Sequence, residues 1–362
     1  MTLTSLELRN FRNYQKSTWH FSPETTVILG ANGSGKTNIL EAINYLSTTK
    51  SFKARYDREA IKFDEAVADI FGETTENKLS LIISSPTPPT FPSPPTLTTT
   101  KKLYKINSTP KLASSFVGTL KTVLFRPEDI DILTDGPSLR RGFLDDVLTQ
   151  TDPTYAKAHA VYHKILTQRN RILGDRDKPL QSKLNELAYW NQELLKNGQI
   201  LQTSRQELIN YLNNKLPQIV KNLFPLSPQS PLLTLIYRPS LMNEERLKSH
   251  VDAELASGLT LIGPQRDDFE VLQDAKNLTA YGSRGQQRTA VLALRLAQLS
   301  YIKEKCNEEP LLLLDDIFSE LDEAHREAIL NIVGEQQTIL TATELPEELK
   351  NTLQKAKIIN LA

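Results

Sequence analysis

The sequence predicts an α/β protein whose α/β part is assembled from both ends of the chain, with a helical lobe inserted between them. Three observations predict this. A short apolar run at 25–29 enters a glycine-rich turn and then a helix-patterned stretch. A second apolar run, Leu311–Leu314, ends in two aspartates. Between the two, residues 152–212 carry helix signals and no strand alternation.

Taken in order, residues 2–8 read as a strand, with Leu3, Leu6 and Leu8 among its apolar positions, and 25–30 (TTVILG) as another. Asn10–Gln15 between them is turn-like. A helix is expected over Asn38–Leu46, where Ile39, Leu40, Ile43 and Leu46 share one face. Strands and turns fill about 60–125. Within them lies the proline-rich run 84–100, which lacks too many amide donors to be a central strand. It reads as a stiff loop in preference to a ligand for a proline-binding domain. Asp152-Pro153 is an N-cap and first-turn pair for a helix to about Leu173. A second helix is expected over 179–212, where Leu187, Leu194, Leu201 and Leu208 recur every seven residues. Either a short coiled-coil seam or an ordinary antiparallel helix pair accounts for that repeat. The chain then returns to α/β: a helix at 286–305, the strand 311–314, a helix near 323–333 and a strand at 338–340. The predicted division is 1–125 with 265–362 for the split α/β part and 126–264 for a mainly helical lobe.

Composition narrows the function. The 362 residues are 39% hydrophobic, enough for a folded core, with 43 basic against 43 acidic residues. With zero net charge, nucleic-acid binding must come from local patches and not from bulk charge. The single cysteine, Cys306, excludes an intramolecular disulfide and a cysteine-based zinc site, and fits a reducing cytoplasm. No run approaches the roughly 20 apolar residues of a membrane span, so a soluble, cytoplasmic protein with no membrane partner is expected.

Gly30-Ala31-Asn32-Gly33-Ser34-Gly35-Lys36-Thr37 fits the phosphate-binding pattern G-x-x-x-x-G-K-[ST], with a strand before it and a helix after. Its glycines let backbone N–H groups wrap a phosphate, and the helix start adds positive potential. Lys36 is expected on the β- and γ-phosphates of ATP and the Thr37 hydroxyl on Mg²⁺. The apolar strand ending at Asp315 supplies a second hard oxygen ligand for Mg²⁺, and Asp316 is placed to polarise the attacking water. About thirty residues earlier, Ser283-Arg284-Gly285-Gln286 opens a helix and looks like the signature motif of ABC-type ATPases. Phe318-Ser319-Glu320-Leu321-Asp322 resembles their D-loop. Lys50, Lys53, Arg55, Arg58 and Lys62 cluster against only Asp57 and Glu59, a pattern suited to neutralising DNA phosphates without reading bases. Arg140-Arg141 and Gln168–Arg171 are similar candidates. His159 and His163 share a helix face, but no third ligand accompanies them in sequence, so they read as surface or packing residues. Trp19 and Trp190 read as core residues.

Over nearly its whole length the chain resembles the RecF family, bacterial DNA-repair ATPases related to the SMC proteins and to double-strand-break-repair ATPases. The likeness rests on LELRNFRNY, GANGSGKTNILEAI, KSFKARYDREAI, LFRPEDIDIL, GPSLRRGFLDDVL, GPQRDD, SRGQQRT and LLLDDIFSELD. It implies an ABC-type ATPase head with an inserted helical lobe, and slow, DNA-stimulated ATP hydrolysis. In such proteins the Ser283 motif of one protomer caps the γ-phosphate held by its twin, so ATP joins a homodimer. The ATP-bound dimer would bind double-stranded DNA and single-strand/double-strand junctions. With RecO and RecR it would direct RecA onto single-stranded gaps, in gap repair, the SOS response and replication-fork maintenance. By the same resemblance Arg12 reaches toward nucleotide phosphate, and Glu128 or Asp129 stands at the Q-loop position. The chain departs from the pattern at Asp316, where most ABC proteins carry glutamate, at Gln265, where histidine is expected, and after 338–341, where no histidine occurs and Thr343 is the substitute sensor. A structural, chromosome-organising ATPase would need a far longer coiled coil; a transporter motor, a shorter segment between Lys36 and Asp315. A nucleotide-dependent interaction module without a DNA role is the third alternative.

Overall fold

The computed structural model describes residues 1–86, 100–223, 230–319, 323–344 and 355–361. Most of the proline-rich run and the last three D-loop residues, Glu320–Asp322, lie outside them.

The chain begins with β1 (Leu3–Phe11), β2 (Tyr14–His20), β3 (Thr25–Leu29) and α1 (Lys36–Thr48). There follow β4 (Val67–Thr74), β5 (Lys78–Ser84), β6 (Lys101–Ile106), β7 (Thr109–Lys111), the one-turn α2 (Ala113–Phe116) and β8 (Thr122–Phe125). Helices come next: α3 (Asp131–Thr134), α4 (Pro137–Thr151), α5 (Pro153–Gly174) and α6 (Leu180–Leu223). After β9 (Leu233–Arg238) come α7 (Glu244–Ser249), α8 (Val251–Ser257), β10 (Asp268–Gln273), β11 (Lys276–Asn277), α9 (Leu278–Tyr281) and α10 (Arg284–Cys306). The chain closes with β12 (Leu311–Asp315), α11 (Glu323–Ile332), β13 (Thr338–Ala342) and β14 (Lys357–Asn360).

These elements form two compact units, 1–129 with 298–362, and 130–297. The second break thus falls well after residue 264, where the sequence pattern placed it. The reason is strand pairing: β10 joins β9 antiparallel from Asp268↔Arg238 to Gln273↔Leu233, which binds residues beyond 264 to the inserted unit. That unit is therefore not all-helical, since it carries the sheet β11-β10-β9.

The first unit has two sheets. One is antiparallel, in the order β2-β1-β4-β5-β6-β7; the other is parallel, in the order β14-β3-β13-β12-β8. Helix α1 packs on β4 and β5 of the first and on β12 and β13 of the second, so it is buried almost all round. This is why Ile39, Leu40, Ile43 and Leu46 join Leu3, Leu6, Leu8, Ile70, Leu81, Leu313 and Ile339 in one core. Strands β8, β12 and β13 are buried at every position, which explains why they read as apolar runs broken only by Thr122, Asp315, Thr338 and Thr341. Strand β2, not foreseen, is an edge strand with a mostly exposed or half-exposed pattern that left little apolar signal.

In the inserted unit, Asp152 caps α5 by accepting from the Thr154 amide at 2.7 Å, as its sequence predicts. The seven-residue leucines all lie in the buried face of α6, and α6 packs along α5. The helix continues well beyond 212, through Pro217, because Leu216, Val220 and Leu223 are buried there and offset the missing amide bond.

Candidate nucleotide site and basic segment

Strand β3 delivers the chain into Gly30–Gly35, and Lys36 begins α1. Gly35 has φ 105°, the left-handed region open to glycine, and a Cβ there would sit 2.7 Å from Asn13 Nδ2. The Asn38 and Ile39 amides donate to the Gly35 carbonyl and start the helix. Lys36 is buried, and its Nζ donates to the carbonyls of Gly30 (2.6 Å) and Ala31 (3.1 Å), which holds the ammonium over the loop. Ala31, Asn32 and Gly33 are exposed at the loop's crest. The Ser34 Oγ is buried without a hydrogen-bond partner, an orphaned donor inside a loop of the composition that wraps phosphate.

The parallel sheet sets the second half of the site. Asp315 on β12 is the register partner of Thr341 on β13, which in turn pairs with Ile28 of β3. Thr37 Oγ1 donates to Asp315 Oδ1 at 3.0 Å and Thr341 Oγ1 donates to the same oxygen at 2.8 Å. The Asp316 amide donates to Thr341 Oγ1 at 3.0 Å, and Asp316 itself turns at φ 47°. Asp315 is only 5% exposed. Burial raises its pKa above the ordinary carboxylate value, against the lowering effect of the two threonine hydroxyls, while the nearby Glu128 charge adds to the rise. A hydroxyl and a carboxylate oxygen side by side are hard donors of the kind Mg²⁺ takes. Asp129 is buried and accepts from the Arg126 amide at 3.1 Å, whereas Glu128 is exposed; of the two Q-loop candidates, only Glu128 faces outward. Thr343 is exposed, and the threonine that touches the carboxylate is Thr341.

Arg12 sits in a tight turn at φ 53°. Its Nε and Nη2 donate to Glu41 at 2.8 and 2.6 Å, and its Nη1 donates to the Glu59 carbonyl at 2.7 Å. The guanidinium is thus engaged with α1 and the basic segment. Next to it, Asn13 Nδ2 and the Tyr14 hydroxyl each donate to the Ser34 carbonyl at 3.4 Å. Burial pushes the Tyr14 hydroxyl up to about 12, so it remains a proton donor.

In the basic segment the two acids have partners of their own. Asp57 pairs with Lys102 at 2.9 Å and accepts from the Tyr45 hydroxyl, while Glu59 Oε2 accepts from the Arg55 amide at 2.9 Å. Lys50, Lys53 and Arg55 are exposed and Arg58 half-buried; both arginines lie over the exposed Tyr56 ring, at 5.5 and 5.7 Å.

In the inserted unit, the signature segment forms a reciprocal cap at the start of α10. Ser283 Oγ accepts from the Gln286 amide at 3.3 Å, and Gln286 Oε1 accepts from the Ser283 amide at 2.9 Å. Gly285 follows the serine by two residues on the first turn.

Three sequence candidates for DNA contact prove structural. Arg169 is 1% exposed and donates to Glu254 at 2.6 Å, to Asn191 and to Thr260. Arg140 is buried in a two-pronged pair with Asp268 at 2.6 and 3.0 Å, and Arg141 donates to the Asp267 carbonyl. Their apolar neighbours on α4 and α5 demanded buried partners that a charge count cannot reveal. Gln265 closes its own loop by donating to the Ile262 carbonyl at 2.8 Å and accepting from Tyr162. His159 and His163 face each other with Nε2 atoms 3.1 Å apart, and His159 approaches Asp145 at 3.3 Å. No group of three metal-ligating side chains occurs among the described residues. Trp19 joins the core of the first unit, and Trp190 packs on Ile172, Leu173 and Leu187.

A glycine-wrapped phosphate loop between β3 and α1, backed by the Thr37–Asp315 pair on a parallel sheet, together with an antiparallel sheet on α1, is the head of an ABC/SMC-type ATPase. The chain belongs to the RecF/RecN/SMC N-terminal domain family, whose model matches residues 2–345, and within that family to RecF. It is 38% identical to the DNA replication and repair protein RecF of Agathobacter rectalis, over 100% of this chain and 97% of that one. Among solved structures, the recombination mediator protein RecF with ATP, in the RecFOR pathway, matches with TM-score 0.80 at 28% identity, over 96% of this chain and 93% of that one. A second RecF nucleotide complex of that pathway matches with TM-score 0.79 at 30% identity, over 95% and 92%. No described helix is long and apolar enough to cross a membrane.

Proposed function

We propose that this chain is an ATP-dependent DNA-binding recombination mediator with weak, DNA-stimulated ATPase activity. The observation that carries the nucleotide half is the 3.0 Å bond from Thr37 to Asp315, which joins the phosphate loop to the acidic end of β12. The loop amides and Lys36 bind the β- and γ-phosphates of ATP. Thr37 and Asp315 would hold Mg²⁺, which when bound neutralises phosphate charge. Asp316 orients and polarises the water that attacks the γ-phosphorus, giving ADP and phosphate; Glu128 senses the γ-phosphate from the β8 end. Ser283, Gly285 and Gln286 cap the γ-phosphate held by a second copy, so ATP joins a homodimer and hydrolysis releases it.

Lys50, Lys53, Arg55 and Arg58 take backbone phosphates of duplex DNA and of single-strand/double-strand junctions. In this reading the protein works in the cytoplasm with RecR and RecO to place RecA on single-stranded gaps. Two measurements test it. Sedimentation with ATP should show a dimer for the wild type and a monomer that still binds ATP for Ser283→Arg; a mutant that dimerises normally overturns the composite site. Gel shifts on gapped, duplex and single-stranded DNA should show ATP-dependent binding that weakens steeply with salt; equal, ATP-independent shifts overturn the DNA role.

A further inference from the structure

Glu41 is a carboxylate in the middle of α1 with no solvent exposure, and nothing in the nucleotide chemistry above uses it. Its two oxygens are taken up by Arg12 Nε and Nη2 and by the Ser51 hydroxyl. Ser51 in turn shapes the start of the basic segment: its Oγ accepts from the Lys53 amide at 2.9 Å and the Ala54 amide at 2.6 Å. Arg12 shapes the other end, through its Nη1 on the Glu59 carbonyl and its own amide on the Ala60 carbonyl at 2.9 Å. The Lys62 amide donates to the Asn10 carbonyl at 2.8 Å, so the β1–β2 turn is tied to the C-terminal end of the basic segment. The same turn touches the phosphate loop through Asn13, and Asn38 donates to Asn13 at 2.8 Å while Lys53 Nζ donates to Asn38 at 3.3 Å.

We propose that Glu41 is a positioning residue that anchors both ends of the basic segment 51–60 to the nucleotide-binding helix, through Ser51 and Arg12, and so sets the DNA-phosphate contacts without touching DNA or ATP. This rests on the reading that the segment binds DNA. A buried carboxylate must keep its donors, so these contacts hold the segment in one shape. A glutamine at 41 keeps the volume but turns one acceptor into a donor that opposes the guanidinium. An alanine at 51 removes the hydroxyl that both Glu41 and the two segment amides use.

The test is fluorescence anisotropy with a gapped duplex, at saturating ATP and across a salt series, on chains whose folding is checked by circular dichroism. Ser51→Ala and Glu41→Gln should each weaken DNA binding about ten-fold and flatten the dependence of log affinity on log salt, because phosphate contacts are lost. Ser51→Thr, which keeps the hydroxyl, should restore affinity to within about two-fold. ATP affinity of Ser51→Ala should stay at the wild-type level. Should Glu41→Gln fail to fold, Ser51→Ala and Ser51→Thr carry the comparison. Lys53→Glu with Arg55→Glu is the control. If that pair abolishes binding while folded Ser51→Ala keeps wild-type affinity and salt slope, the positioning role is overturned and the DNA reading stands. If the charge reversals leave affinity unchanged, the DNA reading of this segment falls, and the inference with it.

Discussion

Asp315 combines two demands that conflict at low pH. In the proposed role it must be ionised to hold a divalent cation, yet burial favours its protonated form. Because its pKa is raised, acidification should strip Mg²⁺-dependent ATP binding at a pH above that of an ordinary carboxylate, about 3.9. Titrating Mg²⁺-stimulated binding of a fluorescent ATP analogue downward from pH 7 checks this. Asp315→Asn should remove the Mg²⁺ dependence while metal-free binding persists. Lys36→Arg should depress turnover more than binding, since the charge remains but its placement over Gly30 and Ala31 changes; radiolabelled ATP hydrolysis at the wild-type rate would count against it. At this scale the placement of the phosphate loop, Asp315, Asp316 and Ser283 beside a strand end or a helix start was legible, because each belongs to a spaced pattern. Glu41 and Thr341 were not. Each is a single residue whose partner comes from a distant strand or loop, and only the register Asp315↔Thr341 or the packing of α1 reveals it.

Helix boundaries followed where chemistry marks them. Asp152-Pro153 and the Ser283–Gln286 cap are local signals and lie at real helix starts. The far end of α6 was hidden because Pro217 reads as a stop, whereas burial of Leu216, Val220 and Leu223 carries the helix onward. Gln286→Ala, which keeps the serine but removes its reciprocal partner, should cost about 0.5–2 kcal/mol. It should also speed hydrogen exchange in the first turn of α10, measured by mass spectrometry. Unchanged exchange there would deny the cap its role. Leu201→Ala, in the buried seam of α6, should cost about 2–5 kcal/mol in urea unfolding.

At the scale of the whole molecule, the ends-together architecture was readable from two apolar strands and a helical middle, but the break near 297 was not. Strands β9 and β10 are short and half-buried, and their pairing spans a stretch the pattern had divided. Beneath them lies an ionic knot in the inserted unit. Arg205, 3% exposed in its side chain, donates to Asp145 at 2.8 Å and to Asp267 at 2.9 Å, and Tyr237 and Gln202 also donate to Asp267. Burial works to raise the Asp145 pKa, but the Arg205 charge and then the His159 and Tyr155 contacts outweigh it and hold the carboxyl well below the usual range. With a depressed folded pKa, its stabilisation is present above about pH 3.9 and is lost as pH falls toward the folded value. Arg205→Met should leave two buried carboxylates without their cation and cost about 3–5 kcal/mol at pH 7. Urea unfolding at pH 7 and at about pH 3, below the ordinary carboxylate value, measures both effects, and a variant as stable as wild type would show the knot to be dispensable.

The order β14-β3-β13-β12-β8 also bears on how the protein is born. The strand that launches the phosphate loop is made first, but its lateral neighbours β13 and β14 are among the last segments to leave the ribosome. The inserted unit can close its own sheet while those neighbours are still being synthesised. Early strands must therefore wait for the C-terminal ones, so this half should complete its folding later than the inserted unit. Nascent chains stalled before residue 311 should be unable to retain ATP, whereas release of the full chain should switch that capacity on.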